Sequence, residues 1–152
     1  MIAVEAIKAA GLDFRVIEHA PVKSLQEAAV ARGVEIPDVV KTIVVRRGDD
    51  DFLFVLVPGD RVISWPKLRA LLGVSRMSMP DAAAALEATG YERGTITPFG
   101  SKREWPVIAD ERLVGREITL GSGAHNVAIA VAATPAFEAL KAMVADVSDP
   151  AE

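Results

Sequence analysis

A lysine inside an apolar strand is the first residue equipped for chemistry. Lys41 lies within the run VVKTIVV of residues 39–45, where alternation places it on the same face as Ile43 and Val45. Burying its charge is costly unless something compensates it. Two interpretations stay open. Lys41 is either an edge lysine whose stem carries the charge to water, or a cation held in a cleft for an anion such as phosphate.

Two glycine-bearing segments further along the chain could present their backbone to a ligand. Residues 94–100, GTITPFG, have glycine at both ends, and Pro98 biases Thr97 toward extended geometry. Such a loop can offer N–H groups to a carbonyl or carboxylate, or simply connect two elements. Residues 121–126, GSGAHN, combine small residues with His125, which could donate to a substrate carbonyl or hold a water. The alternative for this second segment is a β-bulge with a surface histidine.

Several familiar chemistries lack their residues. The chain has no Cys and only two histidines, far apart, of which His19 is expected to be structural. Leu120 precedes Gly121, so Ser122 is not in a G-x-S-x-G elbow, and no nucleotide-binding glycine motif occurs. No metal and no cofactor are therefore expected. An enzyme of this kind must position and polarise a water.

Length and composition suit one globular domain spanning residues 1–152. Hydrophobic residues make up 51% and charged residues 25%, and no apolar run approaches the roughly 20 residues that span a bilayer. The N-terminus lacks a signal-peptide pattern, so no membrane contact and a cytoplasmic location are expected. The net charge is −4, yet residues 41–103 carry 10 basic and 7 acidic side chains. That middle region either faces a phosphate backbone or merely carries scattered, solvated charge.

The pattern of helix and strand signals predicts an α+β fold. Helices are predicted at residues 2–10, from a capping box at Ser24 to Gly33, at residues 66–72 and 81–88, and from Thr134 to about Val147. Strands are predicted at residues 12–16, 107–109, 118–120 and 127–131. A hairpin joins residues 39–47 to residues 52–57 through the turn GDDD. This order indicates a mostly antiparallel or mixed sheet.

The order and spacing of four motifs resemble those of the YbaK / prolyl-tRNA editing (aminoacyl-tRNA deacylase) domain family. They are the strand VVKT, the hairpin end VPGDR, the loop GTITPFG and the segment GSGAHN. The resemblance extends from EHAPV at residue 18 to the helix after Thr134, which is nearly the whole chain. It implies a curved, partly closed mixed β-sheet surrounded by helices. It also implies hydrolysis of the ester that joins a wrong amino acid to tRNA, typically tRNA-Pro.

The resemblance also implies roles for particular residues. Lys41 would hold the 3′-terminal adenosine of the tRNA or its phosphate, and Gly94 and Pro98 mark a loop that binds the aminoacyl moiety through backbone groups. These three are the candidate catalytic residues. His125 would help to select the substrate. The remaining candidates for substrate contact are Thr42, Thr97, Phe99, Gly100, Gly121, Ser122 and Gly123. The family needs no metal, because backbone groups and a ribose hydroxyl of the substrate position the attacking water.

Some features depart from the family pattern or leave alternatives. Ser24 stands where many members have Thr, and Thr42 occupies a position that varies among Ser, Thr and Asn. The 152 residues hold no synthetase catalytic domain, so editing in trans is expected, with aminoacyl-tRNA and an aminoacyl-tRNA synthetase as partners. Two other functions remain open. One is a module that binds tRNA ends or nucleotides without turnover, and the other is a small aminoacyl-ester esterase.

Overall fold

Five helices and three sheets make up residues 2–151, the part of the chain that the computed structural model describes. The helices are α1 (Ile2–Ala9), α2 (Leu25–Arg32), α3 (Trp65–Leu72), α4 (Ala82–Thr89) and α5 (Ala133–Ala139). The strands are β1 (Phe14–Glu18), β2 (Val40–Gly48), β3 (Asp51–Pro58), β4 (Arg61–Ile63), β5 (Val107–Asp110), β6 (Glu117–Gly121), β7 (Val127–Ala132), β8 (Met143–Ala145) and β9 (Ser148–Pro150). Short 3₁₀-helices occupy Ile36–Asp38 and Glu111–Leu113.

Side-chain caps begin the helices that the sequence predicts most sharply. At α2 the hydroxyl of Ser24 accepts from the backbone N–H of Glu27 at 3.0 Å and donates to its carboxylate at 3.3 Å. Asp81 caps α4 in the same way, accepting from the N–H of Ala84 at 2.8 Å. Helices α2, α3 and α4 each end at a glycine in the left-handed conformation. These predicted helices are confirmed.

The strands form two larger sheets and one small one. In the first sheet β7 lies between β1 and β6, and both neighbours are antiparallel to it. The second sheet has the order β2-β3-β5-β8, with the predicted β2–β3 hairpin antiparallel and the other two pairs parallel. Strands β4 and β9 form the third. The α+β class with a mixed sheet is confirmed.

The two larger sheets meet at a single bridge. Val39, just before β2, pairs in parallel with Thr119 of β6. Beyond that pair the strands form no continuous ladder, so the sheets do not close; the partial closure that the family resemblance implies is not found, a minor departure within the confirmed fold class. From this junction β2 and β6 both run in the same direction.

Hydrophobic clusters cover both faces of β3, the central strand. Phe54 and Leu56 belong to the larger cluster, which contains residues of α1, β6, β7 and α5. Leu53, Val55 and Val57 point the other way, into a cluster with Leu68 of α3. The pair Phe52–Trp105 adds an edge-to-face contact with ring centroids 5.2 Å apart. This rigid double-faced strand fixes β2 and therefore Lys41.

The sequence-based prediction fails at the C-terminus. Instead of one helix from Thr134 to about Val147, α5 ends at Ala139 and Lys141 turns the chain with a φ of 54°. Strand β8 then extends the second sheet beside β5, and β9 pairs with β4. Short apolar runs rich in alanine and valine do not distinguish helix from strand by periodicity. Strand β1 also begins two residues later than predicted. No helix within residues 2–151 is long and apolar enough to cross a membrane.

Candidate active site

Lys41 lies half-buried near the start of β2, paired across the hairpin with Val57. Its neighbours on the same face, Ile43 and Val45, belong to the cluster that includes Leu68, as alternation predicts. The Lys41 ammonium donates to the backbone carbonyl of Arg61. Burial lowers the pKa of Lys41, and the nearby carboxylate of Asp60 opposes that shift. The ammonium is thus a cation held by a neutral carbonyl in a partly desolvated position.

The junction of the two sheets relates Lys41 to the GSGAHN segment. Val39 pairs with Thr119, and because the pairing is parallel their side chains share one face. Lys41 and Gly121 each lie two residues further along the same direction, about 7 Å from the bridge. Both residues therefore lie close to the bridge, one on β2 and the other at the end of β6. Thr42 faces the opposite side, where its hydroxyl is buried without a hydrogen-bond partner.

The loop of residues 94–100 is in direct contact with the segment after β6. The N–H of Gly123 donates to the carbonyl of Thr95 at 2.8 Å. A Cβ at Gly121 would lie 2.8 Å from the carbonyl oxygen of Ile96 and 3.0 Å from that of Thr95. A Cβ at Gly123 would collide with the ring of Tyr91, and Gly123 has a φ of 86°. Only glycine permits this close approach of the two backbones.

Side chains within the 94–100 loop point inward and hold it in shape. Thr97 is fully buried, and its hydroxyl accepts from the N–H of Phe99 at 3.3 Å. The Phe99 ring joins the larger hydrophobic cluster, and its carbonyl accepts from the Tyr91 hydroxyl at 2.7 Å. Gly94 and Gly100 adopt left-handed conformations at the two ends. The Thr97 and Phe99 side chains are buried inside the loop, so the groups that it can offer to a ligand are backbone groups, including those of Gly94.

His125 stands on a tight turn whose shape depends on Ser122. The buried Ser122 hydroxyl donates to the carbonyl of Val127 at 2.8 Å and accepts from the N–H of Ala124 at 3.2 Å. Ser122 therefore acts inside the turn. The exposed His125 ring lies 2.8 Å from the carboxylate of Glu92 through Nε2. Glu92 precedes Gly94 by two residues, so this contact also ties the turn to the loop.

The structure thus brings the two glycine-bearing segments together, and Lys41 and Gly121 each lie two residues beyond the bridge between Val39 and Thr119. Sequence reasoning missed Tyr91 and Glu92, which contact both segments. The one signal in the sequence was the position of Glu92, an acidic residue two positions before Gly94. A cleft of about 670 Å³ touches Pro98, Phe99 and Gly100 from the far side, and neither Lys41 nor His125 lines it. The expectation that Lys41, the loop and His125 form one pocket stays a prediction. Within residues 2–151, His, Asp and Glu form no cluster suited to a metal.

Comparisons with known proteins address the family directly. Residues 19–135 match the model of the aminoacyl-tRNA editing domain. A proline–tRNA ligase of Thermosipho africanus is 35% identical over 89 residues, which cover 59% of this chain and 16% of the ligase. The multifunctional Ser/Thr-tRNA deacylase ProXp-y of Escherichia coli is 27% identical over 118 residues, covering 74% of this chain and 71% of the deacylase.

A solved structure agrees at the level of the fold. A candidate trans-editing enzyme for prolyl-tRNA synthetase superposes with a TM-score of 0.89 over 97% of this chain and 95% of its own, at 24% identity. The match to the family model extends from His19 to Pro135, so it includes Lys41, both glycine-bearing segments and all strands from β2 to β7. The chain therefore belongs to the aminoacyl-tRNA editing domain family.

Proposed function

We propose that this protein hydrolyses the ester bond of mischarged aminoacyl-tRNA, acting in trans on tRNA-Pro or a related tRNA. The observation that carries the proposal is the contact between the 94–100 loop and residues 121–123, and the half-buried cation of Lys41 on the strand that bridges to β6 supports it. The names of the relatives, a proline–tRNA ligase and a Ser/Thr-tRNA deacylase, support the same substrate class. The ligase is matched over only 16% of its length, so its remaining activities have no counterpart in this proposal.

The chemistry follows from what an aminoacyl ester needs. The ester carbonyl is already activated, so a positioned water and donors for the developing oxyanion suffice. Lys41 binds the phosphate or ribose of the terminal adenosine. Backbone groups of the loop that begins at Gly94 hold the aminoacyl moiety. The water attacks the carbonyl carbon, the ester C–O bond breaks, and the released ribose oxygen takes the proton, which yields a free amino acid and an intact tRNA 3′ end.

Release of radiolabelled amino acid from a panel of purified mischarged tRNAs tests this function. We expect wild-type protein to release at least one amino acid at catalytic protein concentrations. Lys41→Ala should abolish release while the fold persists, because a partly desolvated charge contributes little to stability. Lys23→Ala, an exposed lysine, is the matched control.

Three outcomes would decide against the proposal. Binding of the same tRNA without release would indicate a binding module. Hydrolysis of a free aminoacyl ester with no preference for the tRNA body would indicate a small-molecule esterase. Turnover by Lys41→Ala at the wild-type rate would show that the site lies elsewhere.

An aminoacyl-tRNA synthetase is the second partner included in the proposal. The mischarged tRNA leaves a synthetase before it can be edited in trans, so contact between the two proteins would shorten that transfer. Analytical ultracentrifugation of the purified protein with prolyl-tRNA synthetase, with and without tRNA, measures it. Independent sedimentation of the two proteins in both cases would limit the partner to tRNA.

A further inference from the structure

Arg32, which the proposed mechanism does not use, occupies an unusual position beside the junction of the two sheets. It is the last residue of α2, and its guanidinium reaches across to β6, where Nη1 donates to the hydroxyl of Thr119 at 3.1 Å. Thr119 is fully buried. The side chain is therefore directed inward at the Val39–Thr119 pair rather than out to water.

Among the residues that the structure describes, no carboxylate forms an ion pair with the Arg32 guanidinium. Within the same residues its Nε is buried without a hydrogen-bond partner. Burial lowers the pKa of Arg32. Arginine does not escape such a position by deprotonating, because its pKa remains far above neutrality. A partly desolvated guanidinium is costly unless an anion pairs with it, and its unpartnered Nε leaves a donor available for such an anion.

Arg116 provides a comparison close by. It precedes β6 by one residue, and its Nε lies 2.6 Å from the carboxylate of Asp38, an ion pair that holds its pKa above the usual value. The fold thus supplies a carboxylate to one arginine near this junction and none to the other. The carbonyls at the C-terminus of α2 give Arg32 only weak compensation, since the helix dipole acts over the last turn and is easily screened.

Lys41 lies on the same face, two residues beyond the bridge to Thr119. No ion pair within residues 2–151 includes Lys41; its ammonium is held by the carbonyl of Arg61, and the Asp60 carboxylate acts on it only from a longer distance. Two cations without ion pairs therefore approach one junction from different elements, α2 and β2. A guanidinium fork beside an ammonium suits the oxygens of a phosphodiester, because the fork binds two oxygens at once and the ammonium adds a point charge.

We propose that Arg32 binds a phosphodiester of the tRNA 3′ end, acting together with Lys41. The inference rests on the proposed function, because it takes the tRNA end as the ligand. Phosphate is favoured over carboxylate since the amino acid's own carboxyl group is consumed in the ester. Arg32 positions the strand and takes no part in bond breaking, so its loss should weaken binding and leave the chemical step unchanged.

Binding of uncharged tRNA, measured by fluorescence anisotropy at several salt concentrations, tests Arg32 without requiring turnover. Arg32→Gln should raise the Kd about tenfold and reduce the slope of log Kd against log salt by about one. Arg32→Lys should recover part of the affinity, because it keeps the charge but loses the fork. Arg15→Gln, an exposed arginine on β1, should change neither quantity.

Kinetics and stability separate this role from a structural one. In deacylation assays Arg32→Gln should raise KM about tenfold with kcat unchanged. Its melting temperature should equal or exceed that of the wild type, since an uncompensated buried charge is removed. A lower melting temperature with unchanged Kd and salt slope would overturn the inference and make Arg32 a structural anchor for Thr119. Arg32-dependent tRNA binding by a wild-type protein with no deacylase activity would instead overturn the proposed function.

Discussion

His125 illustrates how the setting of one side chain limits its role. Its ring is exposed and touches the equally exposed Glu92 carboxylate at 2.8 Å. Solvent on both partners leaves the pair weakly coupled, as is usual for surface ion pairs. A general base would need a fixed ring beside the attacking water, and a ring held by one exposed contact does not provide that. The position suits a group that contacts the amino-acid moiety of the substrate.

We expect His125→Ala to lower the deacylation rate by about tenfold or less and to shift preference among amino acids. The pH–rate profile should keep its shape, because the ring is not expected to transfer a proton in the chemical step. Glu92→Gln is the matched control, since it removes the negative charge beside the ring and leaves the ring itself in place. A drop beyond about a thousandfold, with one limb of the pH–rate profile lost, would identify His125 as the base.

The sequence alone made Lys41 a candidate, because a charge in an apolar strand is a local anomaly. It could not identify Arg32 or Glu92, because each acquires its meaning from a distant partner. Arg32 meets Thr119 across 87 residues of chain, and Glu92 meets His125 across 33. The Ser122 hydroxyl also has its partners within its own turn, which the sequence did not indicate, and its contact with substrate stays a prediction. The local sequence shows which residue type stands at a position, but it does not show which distant residue will form its hydrogen bond or ion pair.

The contact between the two glycine-bearing segments is the element on which the proposed site depends. Gly121→Ala would place a Cβ 2.8 Å from the carbonyl oxygen of Ile96, so the loop must move away by a few tenths of an ångström. We expect deacylation to fall by at least tenfold, because small displacements of positioning groups have large effects on rate. Gly48→Ala, where a Cβ meets nothing within 4 Å, is the matched control.

Thermal unfolding distinguishes this effect from general damage. The loss of activity for Gly121→Ala should exceed what its change in melting temperature explains, since the contact lies between loops rather than in the core. Full activity in Gly121→Ala would show that the loop does not need this close approach and would remove the main support for the site.

The C-terminal strands explain why element prediction failed there. Strand β9 and the residue before it are held by Asp110, which is fully buried: its carboxylate accepts from the Ser148 hydroxyl at 2.6 Å and from the Val147 N–H at 3.2 Å. These bonds join residues 37 and 38 positions apart. Local helix propensity in residues 134–147 is overridden by an edge that β5 leaves open and by this carboxylate. The better-capped helices α2 and α4 were predictable because their signals are local.

Asp110→Asn should destabilise the fold by about 2–4 kcal/mol, because it leaves the buried donors around it poorly satisfied. Burial acts to raise the pKa of Asp110, but hydrogen bonds from Ser148, Arg112 and Val147 outweigh it and hold the pKa below 3.8. A carboxyl group with a folded-state pKa below its unfolded value stabilises the fold above the unfolded pKa. That stability is lost as pH falls below about 4 and passes through the folded-state pKa.

Urea unfolding as a function of pH measures this contribution. The difference between wild type and Asp110→Asn should be constant from pH 5 to 7 and shrink below about pH 4. Asp146→Asn is the control, because Asp146 also pairs with Arg112 but is partly exposed, and its loss should have little effect. A difference that persists unchanged to pH 2 would show that the charge of Asp110 is not what stabilises the strands.

Charge across the protein is distributed in a way that the net value of −4 conceals. Four arginines, at positions 46, 47, 69 and 76, line one cleft of about 510 Å³ at the far end of β2, with Asp49 as its acidic member. Arg46 and Arg47 pair with Asp49 and Asp51, while no ion pair within residues 2–151 includes Arg69 or Arg76. Six residues of strand separate Lys41 from Arg47, roughly 20 Å. In the proposed complex, a tRNA whose 3′ end lies at Lys41 is long enough for its body to reach this cleft.

We expect the charge-reversal variant Arg76→Glu to raise the KM for mischarged tRNA by about tenfold with kcat unchanged, because a phosphate contact made equally in the ground and transition states affects only binding. The wild-type KM should rise steeply with salt as released counter-ions compete, whereas hydrolysis of a free aminoacyl ester, which has no phosphates, should be nearly insensitive to salt.

Arg15→Glu reverses a charge on β1, outside the cleft, and controls for net charge. Equal effects of the two reversals would show that RNA senses only the overall charge. A larger effect of Arg76→Glu, confined to substrates that retain the tRNA body, would show that the protein holds RNA along β2 as well as at the 3′ end.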